Sequence, residues 1–431
     1  MSLRAHARWL ETQFPDWVAR GWIGAEAVEQ IRRHYAADRG SGRSWLRVLL
    51  AILGAVLMGG GVILLLAHNW AEFSRAHRAA IALGALLLGQ IVAALAIRRP
   101  PTSTGAREAA ATFAALTVGA ALALIEQTYH VYEGTTFTLK WMLLTLPLVY
   151  THEAVMPALF YVAGISVWGV LECEGAGPSA YLPLLAPIGP HLAARLRRGQ
   201  RVSAALLLWA MAIGMAVCLS EFSAATGMPR TSVHLPIMLA YLFALYGLLD
   251  ALFFERDWPL AWRPFKILGV GGLATLLFVF SFQEPAGDLP GLAYFSEAPS
   301  SRIGLLLAGV LPALWLAALV AAGIRRGAAP LAFGIAPLFL TLAPHAFGPW
   351  TWLGVNAYLL ALGLWTMATG ARERDLGRVN GGLWLVGGLI VIRFFDSELS
   401  FLAKGLAFIA VGAAFLAANL GLAPHRRRRP R

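Results

Sequence analysis

Runs of about twenty apolar residues recur along most of the chain, and they constrain its fold more than any other feature. An α-helix rises about 1.5 Å per residue, so about twenty residues cross the roughly 30 Å hydrocarbon core of a bilayer. Of the 431 residues, 58% are apolar and 13% are charged, whereas soluble proteins have about 45–50% and about 25%. We therefore predict an all-α, polytopic transmembrane helix bundle.

The apolar runs predict fourteen candidate spans. They lie at 46–67, 79–97, 109–129, 139–151, 154–171, 180–195, 202–220, 233–254, 264–282, 303–323, 330–346, 350–369, 379–395 and 401–422. The runs at 139–151, 180–195 and 330–346 are short or broken by proline, so the expected number is 12–14. This divides the chain into a cytosolic amphipathic helical hairpin (1–44), a transmembrane domain (45–422) and a basic cytosolic tail (423–431).

The Lys and Arg residues are distributed unequally between the loops on the two sides of the predicted bundle. With alternating spans and a cytoplasmic N-terminus, 28 of the 35 Lys and Arg residues fall on the cytoplasmic side. Cytoplasmic loops are enriched in Lys and Arg in membrane proteins. The pattern predicts that both termini are cytoplasmic. The same basic loops are expected to contact anionic lipid headgroups rather than nucleic acid.

The stretch "ALALIEQTYHVYEG" (121–134) ends an apolar run with five consecutive polar or aromatic residues. The polar candidates in it are Glu126, Gln127, Tyr129 and His130. On a continuous helix Glu126, His130 and Glu133 would share a face, where a carboxylate and an imidazole could handle protons or bind a metal. The alternative is that the helix ends near residue 129 and these residues lie in the aqueous interface.

Two further polar groups belong to the same side of the bundle in this topology. His68 and Asn69 lie in "AHNW" at the end of the first span, close to the level expected for Tyr129 and His130. Arg393 and Asp396 lie in "IRFFDSELSFLAK" near the end of the thirteenth span, where a structural turn clamp and a binding role are both open. Ions at this depth are expected to pair or to reach the interface.

The segments "LGAVLMGGGVILLLAHNW" (53–70), "WVARGWIGAEAVEQIRRHY" (17–35) and "ALALIEQTYHVYEG" resemble a bacterial family of membrane proteins, domain of unknown function 2157. The C-terminal residues 377–420 are similar to the ending of its longer members. The family usually has Gly at the position of Glu126, so "QTYH" is the shared part. The resemblance implies a multi-pass inner-membrane protein and implies no particular activity.

The sequence leaves three functions open. The first is a transporter-like bundle for a small or lipidic solute, with an outward polar cavity. The second is a scaffold or regulatory protein that binds a partner or forms a homo-oligomer through residues 1–44. The third is a membrane enzyme acting on lipid or glycan. Because the sequence has no Walker A, HExxH, CxxC or Gly-x-Ser-x-Gly motif, we favour a non-enzymatic protein without cofactor or metal.

Overall fold

The computed structural model describes residues 13–24, 26–29, 72–98, 104–130, 136–171, 177–225, 234–254, 258–296, 309–328, 330–396 and 409. In these ranges the regular structure is helical, which confirms the all-α prediction. The α-helices are α1 (Arg75–Ile97), α2 (Thr104–Tyr129), α3 (Thr136–Thr151), α4 (Val155–Leu171), α5 (Gly177–Leu185), α6 (Ile188–Arg197), α7 (Arg201–Ala225), α8 (His234–Phe253), α9 (Pro264–Val279), α10 (Gln283–Gly287), α11 (Ala293–Ser296), α12 (Leu311–Arg326), α13 (Leu331–Gly334), α14 (Ala336–Phe347), α15 (Thr351–Glu373) and α16 (Leu376–Asp396). Short 3₁₀ turns occupy Leu260–Trp262 and Gly348–Trp350.

Five helical stretches among the described residues are long and apolar enough to cross a membrane. They are Arg75–Ile97, Gly105–Tyr129, Arg201–Ser220, Leu235–Phe253 and the 38-residue stretch Ala336–Glu373. Two further apolar helices, Val155–Leu171 and Pro264–Val279, are shorter. The protein is thus a multi-helix membrane protein. The predicted spans 46–67 and 401–422 lie outside the described residues except for residue 409.

The prolines noted in the sequence interrupt two predicted spans. The span predicted at 180–195 consists of α5 and α6, which a turn at Ala186–Pro187 separates. The span predicted at 330–346 is divided in the same way into α13 and α14 around Ile335. Proline lacks the amide hydrogen that a continuing helix needs, so it favours such breaks. Pro147, by contrast, lies inside α3 without ending it.

The chain divides into two compact units, Met1–Ile81 and Ala82–Arg431. In the first unit, residues 13–19 and 26–29 are helical and are joined by a turn in which Gly21 has a φ of 70°. Phe14 and Val28 are buried, whereas Trp22 is 65% exposed. The apolar residues of this hairpin therefore divide into a small buried set and an exposed tryptophan at the turn.

In the second unit, neighbouring helices approach closely at glycines. Helix α15 packs along α16, and a Cβ atom at Gly382 would lie only 2.5 Å from the carbonyl oxygen of Gly363. Helix α8 packs along α9, and a Cβ atom at Gly269 would lie 2.5 Å from the amide nitrogen of Gly247. Small residues are used in this way in membranes, where packing rather than water exclusion holds helices together.

Candidate polar site at the ends of α9, α15 and α16

The stretch 126–130 lies at the end of α2, and its helix stops at Tyr129. His130 follows with a φ of 58°, so the backbone leaves the helix there. Glu126 is half-buried, Gln127 and His130 are exposed, and Tyr129 is 52% exposed. The interpretation that the helix ends near residue 129 is confirmed, and the helical face that would join Glu126 to His130 does not form.

Several predicted site residues cannot be placed. His68 and Asn69 lie outside the described residues, as does Glu133, and for Asp396 the structure describes only its helical backbone. In the part of the chain that is described, no group of three His, Cys, Asp or Glu side chains could hold a metal ion. Arg393 is the predicted site residue whose surroundings are described in most detail.

Arg393 lies one turn before the end of α16 and contacts the segment that follows α9. Its Nη2 donates hydrogen bonds to the carbonyl oxygen of Ser281 at 2.6 Å and to the hydroxyl of Ser281 at 3.0 Å. The guanidinium carbon lies 4.9 Å from the centre of the Phe282 ring and 5.8 Å from that of Trp352. The cation is therefore held by a carbonyl at a helix C-terminus, where positive charge is favoured, and by two aromatic rings.

Asn356, in the second turn of α15, binds the same carbonyl. Its Nδ2 donates to the Ser281 oxygen at 2.9 Å and to the Trp352 oxygen at 2.7 Å. These two acceptors identify the nitrogen end of the amide, so Oδ1 faces away from them. Oδ1 is buried and has no hydrogen-bond donor among the described atoms. We call Ser281, Phe282, Trp352, Asn356 and Arg393 the Arg393 site.

No described contact joins the end of α2 to the Arg393 site. Helix α2 packs on α3 and α4, whereas α16 packs on α15. The residues that sequence reasoning missed are Ser281 and Phe282, which follow an apolar helix and look like ordinary turn residues. The hydrogen bond from Asn356 to Ser281 joins α15 to the end of α9.

The opposite ends of α8, α9, α15 and α16 carry charged pairs. Asp250, near the end of α8, is buried and accepts hydrogen bonds from Nε (3.0 Å) and Nη2 of Arg263 at the start of α9. Between α15 and α16, Arg378 donates to Glu373 at 2.8 Å and lies 3.6 Å from Asp375. At this end polar contacts join α8 to α9 and α15 to α16, whereas at the Arg393 site they join the end of α9 to α15 and α16.

A second charged group surrounds the turn between α3 and α4. Glu153 accepts hydrogen bonds from both terminal nitrogens of Arg198, one at 3.0 Å, and its carbonyl accepts one from Arg195. The hydrogen bond from Arg198 lowers the pKa of the Glu153 carboxyl below its usual value. Both carboxylate oxygens of Glu108 accept from the amide of Val155, which caps the first turn of α4.

These features define a multi-helix membrane protein with its polar groups concentrated at the helix ends. Residues 15–157 match the model of a family described as predicted membrane protein (DUF2157), which confirms the resemblance over that range, whereas the similarity at 377–420 stays a prediction. The match includes α1, α2, α3 and the stretch 126–130, and it ends before the Arg393 site. No curated protein and no solved structure matches the chain.

Proposed function

We propose that the protein is a transporter-like bundle that binds a small or lipidic solute at the Arg393 site. The observation that carries this proposal is the pairing of a positively charged guanidinium with a buried, unbonded amide oxygen. The Arg393 guanidinium carbon lies 4.9 Å and 5.8 Å from two aromatic ring centres, and Asn356 Oδ1 has no donor among the described atoms. A buried acceptor without a partner costs about 1–3 kcal/mol, which a bound donor would recover.

The chemistry of the site favours a solute with two functional groups. An anionic oxygen would be attracted to the Arg393 guanidinium, because hydrogen bonds between ions are about twice as strong as neutral ones. An N–H or O–H group would donate to Asn356 Oδ1. A phosphoethanolamine headgroup has both groups, whereas a phosphocholine headgroup has the anion without the donor. Phe282 and Trp352 would cover the apolar part of the solute.

The location of the site fits this role. Asn356 lies in the second turn of α15, and Arg393 lies one turn before the end of α16, a depth close to the headgroups of a bilayer. The excess of Lys and Arg in the loops at the opposite helix ends supports a cytoplasmic position for those ends. In this orientation the Arg393 site faces outward from a bacterial inner membrane.

The contacts between the helices are compatible with movement of the bundle between a state open to one side of the membrane and a state open to the other. At one end Arg263–Asp250 joins α8 to α9 and Arg378–Glu373 joins α15 to α16, and at the other end Arg393–Ser281 joins α9 to α16. These contacts are non-covalent and involve side chains that could exchange partners with a charged solute. Breaking contacts at one end while keeping those at the other would expose the solute site to one side of the membrane at a time.

Native mass spectrometry of the purified protein would test the binding step. We expect the wild type to retain phosphatidylethanolamine about tenfold better than phosphatidylcholine. Arg393→Gln should weaken both lipids, and Asn356→Leu should abolish the preference between them. Arg372→Gln is the matched control, because Arg372 is exposed near the other end of α15. Equal retention of both lipids by all variants would contradict the proposal.

Reconstitution in liposomes would test transport itself. Acyl-labelled fluorescent phosphatidylethanolamine should move between leaflets faster with the wild type than with Arg393→Gln, as measured by quenching from outside with dithionite. Arg372→Gln should behave as the wild type. Binding without any movement between leaflets would show that the site holds a lipid but does not transport it.

A scaffold role is the second candidate, and the exposed turn of the N-terminal hairpin supports it. Trp22 is 65% exposed, and the guanidinium of Arg20 lies 5.2 Å from its ring centre. Aromatic residues and Arg are common in the centres of protein interfaces. If the hairpin recruits a partner or a second copy, Trp22→Ala should reduce the complexes recovered by cross-linking. Unchanged complexes after removal of residues 1–44 would exclude this role.

A further inference from the structure

A shallow depression lies where the link between α6 and α7 meets the turn before α9. It is lined by Gly199, Gln200, Arg201, Val202, Ser203 and Trp262. This depression is at the end of α9 opposite to Ser281 and Phe282. The 16 residues of α9 separate the two ends by about 24 Å, so the depression is distinct from the Arg393 site.

Arg201 supplies an accessible positive charge in this depression. Its side chain is exposed, and the guanidinium carbon lies 5.6 Å from the centre of the Trp258 ring. The guanidinium groups of Arg195 and Arg198 contact other residues: Arg195 donates to Gln200 at 2.6 Å, and Arg198 forms an ion pair with Glu153. A guanidinium that contacts an aromatic face keeps in-plane N–H donors for a carboxylate or phosphate.

The turn beside Arg201 has the composition of a membrane interface. Leu260 is 58% exposed, and the half-buried rings of Trp258 and Trp262 lie on either side of it in the sequence. Trp209, on the third turn of α7, donates from Nε1 to the carbonyl oxygen of Ala261 at 2.9 Å, which fixes the turn against α7. Tryptophan is enriched at the headgroup level, and an exposed leucine there is suited to contact acyl chains.

We infer that this depression binds the headgroup of an anionic phospholipid. Arg201 binds the phosphate, Ser203 contributes a hydroxyl to the lining of the same depression, and Leu260 contacts the first acyl carbons. The combination of an accessible cation with exposed apolar and indole groups favours a lipid over a soluble anion, which would gain nothing from Leu260. The net charge of a phosphatidylglycerol headgroup complements Arg201, whereas the phosphocholine headgroup is neutral overall.

The test is native mass spectrometry of the full-length protein with phosphatidylglycerol or phosphatidylcholine added at equal concentration. We expect the wild type to retain phosphatidylglycerol preferentially, and Arg201→Gln to lose about fivefold in that retention, the contribution of one basic residue near an anionic membrane surface. Arg197→Gln is the matched control, because Arg197 is an exposed arginine at the end of α6 that does not line the depression.

Further experiments distinguish binding of the lipid from binding of a soluble molecule that carries the same phosphate group. Glycerol 1-phosphate, which has no acyl chains, should not compete with phosphatidylglycerol at millimolar concentration, and Leu260→Ser should weaken retention of the lipid. Arg393→Gln should leave it unchanged, which keeps this inference independent of the proposed function. Equal loss in Arg197→Gln and Arg201→Gln, or full competition by glycerol 1-phosphate, would overturn the inference.

Discussion

Asp250 shows how a charged side chain is accommodated among apolar helices. The residue is 3% exposed and lies near the end of α8, within hydrogen-bonding distance of Arg263. The guanidinium presents two N–H groups to the two carboxylate oxygens, and this bidentate arrangement is the strongest that a carboxylate forms. Because both partners are shielded from water, neither charge can be removed without leaving the other uncompensated.

Replacement of Asp250 should therefore destabilise the protein strongly. We expect Asp250→Ala to lower the free energy of unfolding by about 3–5 kcal/mol, since it leaves the Arg263 guanidinium buried and unpaired. Glu373→Ala is the control, because that carboxylate is 41% exposed in its ion pair with Arg378 and should contribute at most about 1 kcal/mol. Both values can be measured by titrating detergent-solubilised protein with SDS. Similar losses for the two variants would contradict the difference in burial.

Glu153 gives a prediction about pH. The hydrogen bond from Arg198 lowers the pKa of this carboxyl in the folded protein below its usual value near 4.5, although partial burial opposes the shift. A lowered pKa stabilises the fold above the usual value, and the stabilisation is lost as the pH falls through the folded pKa. Both side chains are about half-exposed, so the contribution is at most about 1 kcal/mol.

The measurement compares the melting temperatures of the wild type and Glu153→Gln between pH 7 and pH 3. We expect the wild type to melt higher at pH 7 and the difference to disappear towards pH 3, where the carboxyl is protonated in both folded and unfolded protein. A difference that persists unchanged at pH 3 would show that Glu153 acts through its shape rather than its charge.

At the scale of the helices, close packing depends on single glycines. A Cβ atom at Gly382 would lie 2.5 Å from the Gly363 oxygen and 2.8 Å from the Met367 amide nitrogen, so α15 and α16 would have to separate. We expect Gly382→Ala to lower the free energy of unfolding by about 1–3 kcal/mol. The adjacent Gly381→Ala, whose Cβ meets nothing within 4 Å, should be neutral or stabilising, since alanine favours helix. Thermal unfolding of the two variants distinguishes these outcomes.

Helix positions could be predicted from the sequence more fully than helix contacts. Hydropathy alone placed α4 at 154–171, where the structure has Val155–Leu171, and it placed the end of α2 at residue 129. Both follow from local composition. The hydrogen bond between Arg393 and Ser281 joins residues 112 positions apart. No local pattern encodes that pairing, because it depends on which apolar faces pack together, and those faces differ little in composition.

The dependence of helix contacts on long-range packing also explains why only part of the candidate site could be predicted from the sequence. Arg393 could be selected because a cation near hydrocarbon is conspicuous and needs a partner. The partner that the sequence offers is Asp396, three residues along the same helix, and this pairing stays a prediction because the Asp396 side chain lies outside the described residues. Among the described contacts, Arg393 also meets a serine and two aromatic rings from α15 and the segment after α9. Neutral partners of this kind have no sequence signal that sets them apart from other turn residues.

For the whole molecule, the distribution of charge makes a prediction about orientation that can be tested residue by residue. If basic loops are cytoplasmic, Arg372 in the last turn of α15 and Asp288 in the turn after α10 should lie on opposite sides of the membrane. Both residues are exposed. We expect Asp288→Cys to react with a membrane-impermeant thiol reagent in intact cells and Arg372→Cys to react only after lysis. The background would carry alanine at Cys173 and at Cys218, the latter being fully buried. Labelling of both positions from outside, or the reverse pattern, would require the opposite orientation and would place the Arg393 site on the cytoplasmic side.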